Sequence, residues 1–246
     1  MRILRVAQKL YPEYPGGGPY HVHAISRDQA AMGHDVTVLT VSEDESLPRR
    51  ETRQGYTVLR AQPTIDFLGN SLSVRLANDL RQASGYDVVH AHSHLYLATN
   101  LTAIYRHFSA VPLAITNHGL YSQSSPEWLF EIYLRTLGKW TFNTADLVFC
   151  YSDKDQTRLR SLGVESRIAV ISNGVNTNQF TPDGTASELV SGECPVLFVG
   201  RLVEGKRPQD AIRTVARVRE TRDAVELYLC GNGPLQVALE TLAQKL

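Results

Sequence analysis

The sequence has no excess of charge of either sign, few cysteines and no long hydrophobic run. Its 25 Lys and Arg residues equal its 25 Asp and Glu residues, so it lacks the global basic field that would hold nucleic acid. The three cysteines lie far apart, which argues against a disulfide scaffold or a zinc knuckle and favours a reducing compartment. No segment approaches the roughly 20 apolar residues of a membrane span, and the first residues lack the features of a secretory signal. We therefore expect a cytoplasmic protein that does not bind nucleic acid.

Apolar, β-branched runs alternate with helical stretches along most of the chain. This alternation is typical of an α/β fold with a mostly parallel sheet. The run at 36–41 is almost continuously apolar, as expected of a strand that is covered on both faces. The predicted strands are 3–7, 36–41, 56–60, 87–91, 113–116, 147–151, 168–171, 196–199 and 225–230. The predicted helices begin at 19, 72, 125, 208 and 234.

A glycine-rich segment follows the first predicted strand. Gly16, Gly17 and Gly18 precede Pro19, which suits the first position of a helix. Glycines let the backbone approach a ligand closely, and the free N–H groups at the start of a helix can bind an anion or sugar hydroxyls. The spacing from the strand does not match the dinucleotide fingerprint G-x-G-x-x-G. A plain tight turn would use the same residues.

Histidines recur after two further predicted strands. His90, His92 and His94 alternate, so a strand that continued through all three would place them on one face. They would then bind a metal ion or line a sugar cleft; no carboxylate cluster with ligand spacing lies nearby, and we predict no metal. His118 follows another strand, where ligands bind in open α/β sheets. A histidine there can donate to a sugar hydroxyl or transfer a proton, or it can serve as a structural residue at the strand end.

The composition changes after residue 175. The segment 176–194 contains Pro182, Gly184 and Gly192 without apolar periodicity, which predicts an interdomain linker. Two strands and two helices follow, too few to enclose a core. We therefore predict an N-terminal α/β domain at 1–175, the linker at 176–194 and an incomplete second domain at 195–246.

Two loops of this second domain suit phosphate. Arg201 and Lys206 lie five residues apart on a loop that begins at Gly200 and leads into a predicted helix. Two cations at a helix N-terminus would bind a diphosphate, although a solvated basic loop would have the same composition. Gly231 and Gly233 belong to Gly-Asn-Gly-Pro in the next strand-to-helix loop. Backbone amides there could bind a nucleotide.

Together and in this order, the motifs resemble the group 1 (family 4) glycosyltransferases, from residue 1 to residue 246. The match also includes Gly33-His34-Asp35 before the second strand and Ser172-Asn173-Gly174-Val175 before the linker. The resemblance implies a GT-B fold, in which two Rossmann-like domains face each other across a cleft. It implies an acceptor-side N-terminal domain, a nucleotide-diphospho-sugar donor bound by the C-terminal domain, retention at the anomeric carbon, and no metal or other cofactor.

The resemblance also implies roles for individual residues. Arg201 and Lys206 match the basic pair that holds the donor diphosphate, and His118 matches the catalytic cleft histidine near the transferred sugar. The glycines at 16–18 match the loop at the reacting end of the donor, near the acceptor. The residues expected to line the cleft are His92, Asn173, Gly200, Gly231 and Gly233. The family's Glu-x7-Glu motif, whose acids contact the donor, lies beyond the Gly-x-Gly-Pro loop and is not matched in these 246 residues. Whether this chain alone catalyses transfer therefore stays open.

Other functions use similar architectures. A nucleotide-sugar epimerase would share the fold, a truncated paralogue could bind a sugar or a partner without turnover, and a metallohydrolase would explain the histidines. The acceptor, a sugar, a lipid or a small molecule, is not specified by the sequence. A peripheral membrane contact and a homodimer or complementing chain are further expectations.

Overall fold

An eight-stranded sheet lies at the centre of the first part of the chain. The computed structural model describes residues 1–67, 70–120, 127–185, 187–190 and 193–246, and it divides into two units, Met1–Gly174 and Val175–Leu246. The strands of the first unit are β1 Arg2–Val6, β2 Asp35–Val41, β3 Arg50–Arg53, β4 Tyr56–Ala61, β5 Ile65–Phe67, β6 Asn70–Leu72, β7 Val88–His92, β8 Leu113–Thr116, β9 Leu147–Cys150 and β10 Arg167–Val170. Strands β5 and β6 form a separate antiparallel pair.

The order of the strands creates a crevice at one edge of the main sheet. The order is β10-β9-β8-β7-β1-β2-β4-β3, and every pair is parallel except β3 and β4. From β1 the following strands are added on one side of the sheet, and from β7 the later strands are added on the other side. The segments that leave β1 and β7 therefore diverge, which makes this a topological switch point of the kind where ligands bind in open α/β sheets.

Helices cover both faces of this sheet. They are α1 Gly17–Ala31, α2 Val74–Leu80, α3 Leu97–Arg106, α4 Glu127–Tyr133, α5 Lys139–Asn143 and α6 Asp153–Ser161, with a 3-10 turn at Ala83–Gly85 and a π-helical turn at Leu134–Gly138. On one face, Val22 of α1 packs with residues of β1, β2 and β4. On the other face, a larger cluster joins α2, α3, α5 and α6 to the centre of the sheet.

Helix α1 begins earlier than the sequence predicts. Gly16 occupies the N-cap with φ 145°, and Gly17 and Gly18 are already helical. The prediction that Pro19 is the first helical residue is therefore wrong by two positions. A proline fits anywhere in the first turn, because the first four N–H groups of a helix have no intrahelical acceptor. The helix ends before Gly33, which adopts the left-handed conformation with φ 89° typical of a helix C-terminus.

Other local predictions also need correction. The helix predicted from residue 72 spans only Val74–Leu80, because Ser73 caps it by accepting a hydrogen bond from the N–H of Leu76. Helix α3 and strands β3, β5 and β6 were not predicted. The predicted start of a helix at residue 125 lies outside the described residues. No helix in the described ranges combines the length and apolar character needed to cross a bilayer.

The second unit has one covered sheet face. Its strands β11 Cys194–Val199 and β12 Val225–Cys230 are parallel, and its helices are α7 Pro208–Arg219 and α8 Gln236–Lys245. Leu202, Ile212 and Leu239 form a small buried cluster, whereas Leu197 and Val199 on β11 are 58% and 73% exposed. The predicted linker 176–194 includes residues 186, 191 and 192, which lie outside the described residues, and its linker role stays a prediction.

Candidate functional site

Polar side chains from neighbouring strands meet at the carboxyl edge of the main sheet. His92 is the last residue of β7, His118 lies two residues past β8, and Tyr151 directly follows β9. The three strands are adjacent and parallel, so the side chains that leave their ends converge. This places them beside the first turn of α1, at the switch point between β1 and β7.

His118 is held through both of its ring nitrogens. Its Nε2 lies 3.1 Å from Nδ1 of His92, and its Nδ1 lies 2.9 Å from the hydroxyl of Tyr151. A Cβ added to Gly18 would lie 3.7 Å from Nδ1 of His118. The structure therefore brings together three of the sequence-predicted site residues, His118, His92 and Gly18, although their functional roles stay predictions.

His21 and Tyr151 complete the cluster and were missed by the sequence analysis. The ring of His21 lies 5.4 Å from that of His118 and 6.0 Å from that of Tyr151. The side chain of His21 also forms a hydrogen bond with Asn173, which brings that predicted residue into the cluster. The available signal was helical spacing: His21 stands three residues after Gly18, on the same face of α1.

A buried arginine lies behind the histidines. Arg5, in β1, is fully buried; its guanidinium donates to the amide oxygen of Gln29 and to Nδ1 of His90, 3.3 Å away. Because a guanidinium can only donate, Nδ1 of His90 carries no proton. The proton of neutral His90 therefore sits on Nε2, which donates to the hydroxyl of Thr116 at 2.7 Å. The rings of His90 and His92 lie 4.3 Å apart at a tilt of 33°, so His90 lies between Arg5 and the outer histidines.

The cluster is electrically neutral at its outer end. Burial, with the charge of His21 second, lowers the pKa of His118 to about 4. Burial, followed by the coulombic effects of His90 and Arg5, holds the pKa of His92 well below 6.5. Burial also raises the pKa of the Tyr151 phenol. At neutral pH the site therefore presents uncharged imidazoles and a protonated phenol, which suit hydroxyl oxygens better than anions.

His94 does not share the face of the other two histidines of its motif. Strand β7 ends at His92, and Ser93 takes the left-handed conformation with φ 65°, which breaks the alternation. The ring of His94 instead packs 4.6 Å from that of Phe142. Both of its nitrogens are buried and lack partners in the described part of the chain. Burial lowers the pKa of His94 to about 3, so it is an uncharged core residue.

The described residues offer no metal centre. Within the ranges that the structure describes, no three His, Cys, Asp or Glu side chains converge so that they could hold a metal ion. His90 and His92 have their Nδ1 atoms engaged with Arg5 and His118. Independence of metal and of other cofactors stays a prediction.

The two glycine-bearing loops of the second unit are joined by hydrogen bonds. The N–H of Gly200 donates to the carbonyl of Cys230, and the N–H of Leu202 donates to the carbonyl of Asn232 at 2.8 Å. A Cβ on Gly231 would lie 1.8 Å from the carbonyl oxygen of Gly200. On Gly233 it would lie 2.4 Å from that of Leu202, so the close approach of the loops requires both glycines.

The predicted basic pair lies on the first of these loops. Arg201 follows β11 by two residues, and Lys206 ends a 3-10 turn; both are exposed. Arg207 then adopts the left-handed conformation with φ 52° and caps α7, which begins at Pro208. The loop therefore delivers Lys206 to the N-terminus of α7, where the helix dipole favours anions. Convergence of the two charges on one anion stays a prediction.

Known proteins resemble the chain over its whole length. It is 26% identical to an uncharacterized glycosyltransferase of Methanocaldococcus jannaschii, covering 100% of this chain and 67% of the relative. It is 29% identical to the glycogen synthase of Mycobacterium tuberculosis, covering 100% and 65%. Among solved structures, Anabaena HepE in complex with UDP and glucose matches with a TM-score of 0.72 and 21% identity, covering 100% and 65%. This likeness confirms the predicted fold class, and the chain spans about two thirds of these proteins.

The family itself is identified by a direct match. The sequence model of Glycosyltransferase Family 4 matches residues 15–179, which include the glycine turn, the histidine cluster and the segment through Asn173. The matched range is more than half of the 246 residues. The chain belongs to glycosyltransferase family 4.

Proposed function

We propose that the protein that contains this chain transfers a sugar from a nucleotide-diphospho-sugar to an acceptor hydroxyl, with retention at the anomeric carbon. The observation that carries the proposal is the hydrogen-bonded series His92–His118–Tyr151 beside Gly18, at the carboxyl edge of the sheet. Neutral imidazoles and a phenol can exchange hydrogen bonds with sugar hydroxyls without competing for a charge. Membership of family 4 and the UDP and glucose bound to HepE support a nucleotide sugar as the donor.

The donor diphosphate is assigned to Arg201 and Lys206. As the glycosidic bond breaks, negative charge grows on the leaving diphosphate. Two cations at the start of α7 would stabilise that charge more in the transition state than in the ground state, which is what acceleration requires. Gly231 and Gly233 let their loop approach Gly200 and Leu202 closely, and the backbone amides of Gly231 and Gly233 would contact the nucleotide. No metal ion is needed in this scheme, because the cations come from side chains.

The acceptor and partners are less narrowly defined. A sugar, a lipid or a small-molecule hydroxyl would each serve as the acceptor, and a lipid acceptor would bring a peripheral membrane contact. The bare face of β11 with its exposed Leu197 and Val199 favours a homodimer or a complementing chain. The three cysteines are unpaired, in keeping with the cytoplasmic location that we propose.

Product analysis tests this function. The protein is incubated with UDP-, ADP- and GDP-sugars and a panel of acceptors, and the anomeric configuration of each product is measured by NMR. We expect an acceptor-dependent product that keeps the configuration of the donor. Conversion of the sugar nucleotide without an acceptor would show an epimerase instead. Nucleotide-sugar binding without any turnover would show a binding protein.

Charge removal tests the diphosphate assignment separately. Arg201→Ala and Lys206→Ala should each weaken binding of UDP by about tenfold or more, since each removes a charge-assisted hydrogen bond. Arg213→Ala is the matched control, because Arg213 is an exposed arginine of α7 that is paired with Asp210. Equal effects of all three changes would show that only general charge matters and would refute the assignment.

A further inference from the structure

The hydrogen-bonded series at the site ends in Tyr151, not in His118. Both ring nitrogens of His118 are engaged, Nε2 with His92 and Nδ1 with Tyr151. His118 can therefore meet a ligand only by giving up one of these bonds. His92 is buried, whereas His118 and Tyr151 are both half-buried, so the series runs from a buried imidazole to a half-buried phenol at its other end.

The direction of the series follows from its inner end. Nε2 of His92 is buried and has no hydrogen-bond partner among the described residues. A buried N–H without an acceptor is rarer and more costly than a buried lone pair without a donor. The proton of neutral His92 therefore belongs on Nδ1, where it donates to Nε2 of His118. His118 then carries its own proton on Nδ1 and donates it to the oxygen of Tyr151.

This direction leaves the phenolic proton of Tyr151 outside the series. We propose that Tyr151 is the residue that donates a hydrogen bond to an oxygen of the bound nucleotide sugar, and that His118 is the positioning residue that holds the phenol. The ligand group is a sugar hydroxyl or a phosphate oxygen, since both accept from a phenol. This inference rests on the proposed function and names a ligand contact within the same site.

The protonation states support this assignment. Burial, assisted by the charge of His21, lowers the pKa of His118 to about 4, so near pH 7 the imidazole has a single proton to donate. Burial, with the carboxylate of Asp155 second, raises the pKa of Tyr151. The phenol therefore keeps its proton over the whole physiological range and can act only as a hydrogen-bond donor or acceptor, never as an anion.

The tautomers of the two histidines can be measured without any substrate. In protein labelled with 15N-histidine, long-range 1H–15N correlation separates protonated from unprotonated ring nitrogens, and the signals are assigned by their loss in His92→Gln and His118→Gln. We expect the proton on Nδ1 in both residues. A proton on Nε2 of His118 would mean that Tyr151 donates inward, and would overturn the proposal.

Removal of the phenolic oxygen tests the ligand contact. In Tyr151→Phe we expect the Nδ1–H form of His118 to persist, because His92 fixes it from the inside, while UDP-glucose, used as the probe, binds about five- to tenfold more weakly. Tyr133→Phe is the matched control: the Tyr133 hydroxyl donates to the carbonyl of His94 and touches neither nitrogen of His118. Unchanged UDP-glucose binding in Tyr151→Phe would overturn the contact. If the wild type binds none of the UDP-, ADP- and GDP-sugars and transfers no sugar, the proposed function fails, whereas the tautomer measurement still decides the direction of the series.

Discussion

Replacing Gly18 by alanine should raise stability and lower activity at the same time. Gly18 is the second residue of α1, and it does not have a positive φ. An added Cβ would lie 3.7 Å from Nδ1 and 3.9 Å from Cγ of His118. These are ordinary van der Waals distances, so nothing needs to move to accept the methyl group. It would, however, occupy the space beside the imidazole edge that faces Tyr151.

The two effects can be estimated separately. Glycine within a helix costs about 0.5–1 kcal/mol relative to alanine, and a first-turn position belongs at the lower end. A gain of about 0.5 kcal/mol corresponds to an increase in Tm of roughly 1–2 °C for a domain of this size. A ligand oxygen that approached the His118–Tyr151 pair would meet the new methyl group. Losing one hydrogen bond to it would lower kcat/KM by about five- to tenfold.

Gly17 supplies the matched control. It is the first residue of α1, and a Cβ there would meet no atom within 4 Å. Gly17→Ala should therefore show a similar gain in Tm with unchanged kcat/KM. Thermal unfolding and initial-rate measurements on both variants compare the two sites. Equal activity of the two variants would show that Gly18 serves only to start the helix, and a fall in Tm for Gly18→Ala would contradict the backbone argument.

Three further perturbations probe other parts of the structure. Burial alone would raise the pKa of Glu13, but hydrogen bonds from Arg53 and Arg60 outweigh burial and lower the pKa to about 2. The ionised Glu13 carboxylate therefore stabilises the fold fully above about pH 4.5, and this stabilisation is lost as the pH falls toward 2. Glu13→Gln should remove that pH dependence and lower the free energy of unfolding by on the order of 1–3 kcal/mol, measured by chemical denaturation. Gly231→Ala places a Cβ 1.8 Å from the carbonyl oxygen of Gly200 and should destabilise the second unit by roughly 3 kcal/mol or more. The loss should be seen as faster proteolysis within residues 175–246. Resistance to the protease equal to that of the wild type would contradict the close approach of the two loops. His118→Ala should lower kcat/KM at least tenfold without loss of folded structure by circular dichroism, and unchanged kinetics would remove His118 from the site.

The strands were predictable because each is marked by a short apolar run in its own sequence. Leu113–Thr116 and Val225–Cys230 have the predicted bounds, and in β8 all four residues are buried. A short apolar run between polar segments can satisfy its backbone only by pairing with neighbouring strands. Helix α3 was missed because a polar segment with Asn100 and Thr102 carries its buried face. Asn100 donates to Thr141, a partner 41 residues away that local patterns cannot reveal.

The positions of the candidate site residues could be predicted only where a sequence motif included them. The sequence predicted that His118 and the glycines at 16–18 each follow a strand, and the structure brings Gly18 beside His118; their functional roles stay predictions. The sequence analysis did not identify Arg5, which lies within an apolar strand. Its guanidinium donates to His90, which stands 85 residues later in the sequence. The alternation of histidines pointed to three on one face, and a single left-handed residue, Ser93, removed the third. The spacing of residues in the sequence predicts the face on which their side chains lie only as far as the strand continues.

Charge is divided between the two units in a way that fits two different tasks. Because burial lowers the pKa of His118 to about 4, its side chain is uncharged at pH 7. His118 therefore cannot neutralise a leaving diphosphate, and it is suited to orienting uncharged oxygens. Arg201 and Lys206 are exposed basic residues of the second unit. In the proposed function this pair stabilises the developing negative charge, so loss of the pair should slow cleavage of the glycosidic bond. Loss of His118 should instead affect the placing of the sugar. The proposed function assigns His118 and the basic pair to different atoms of the donor, so the two defects should multiply in the combined variant.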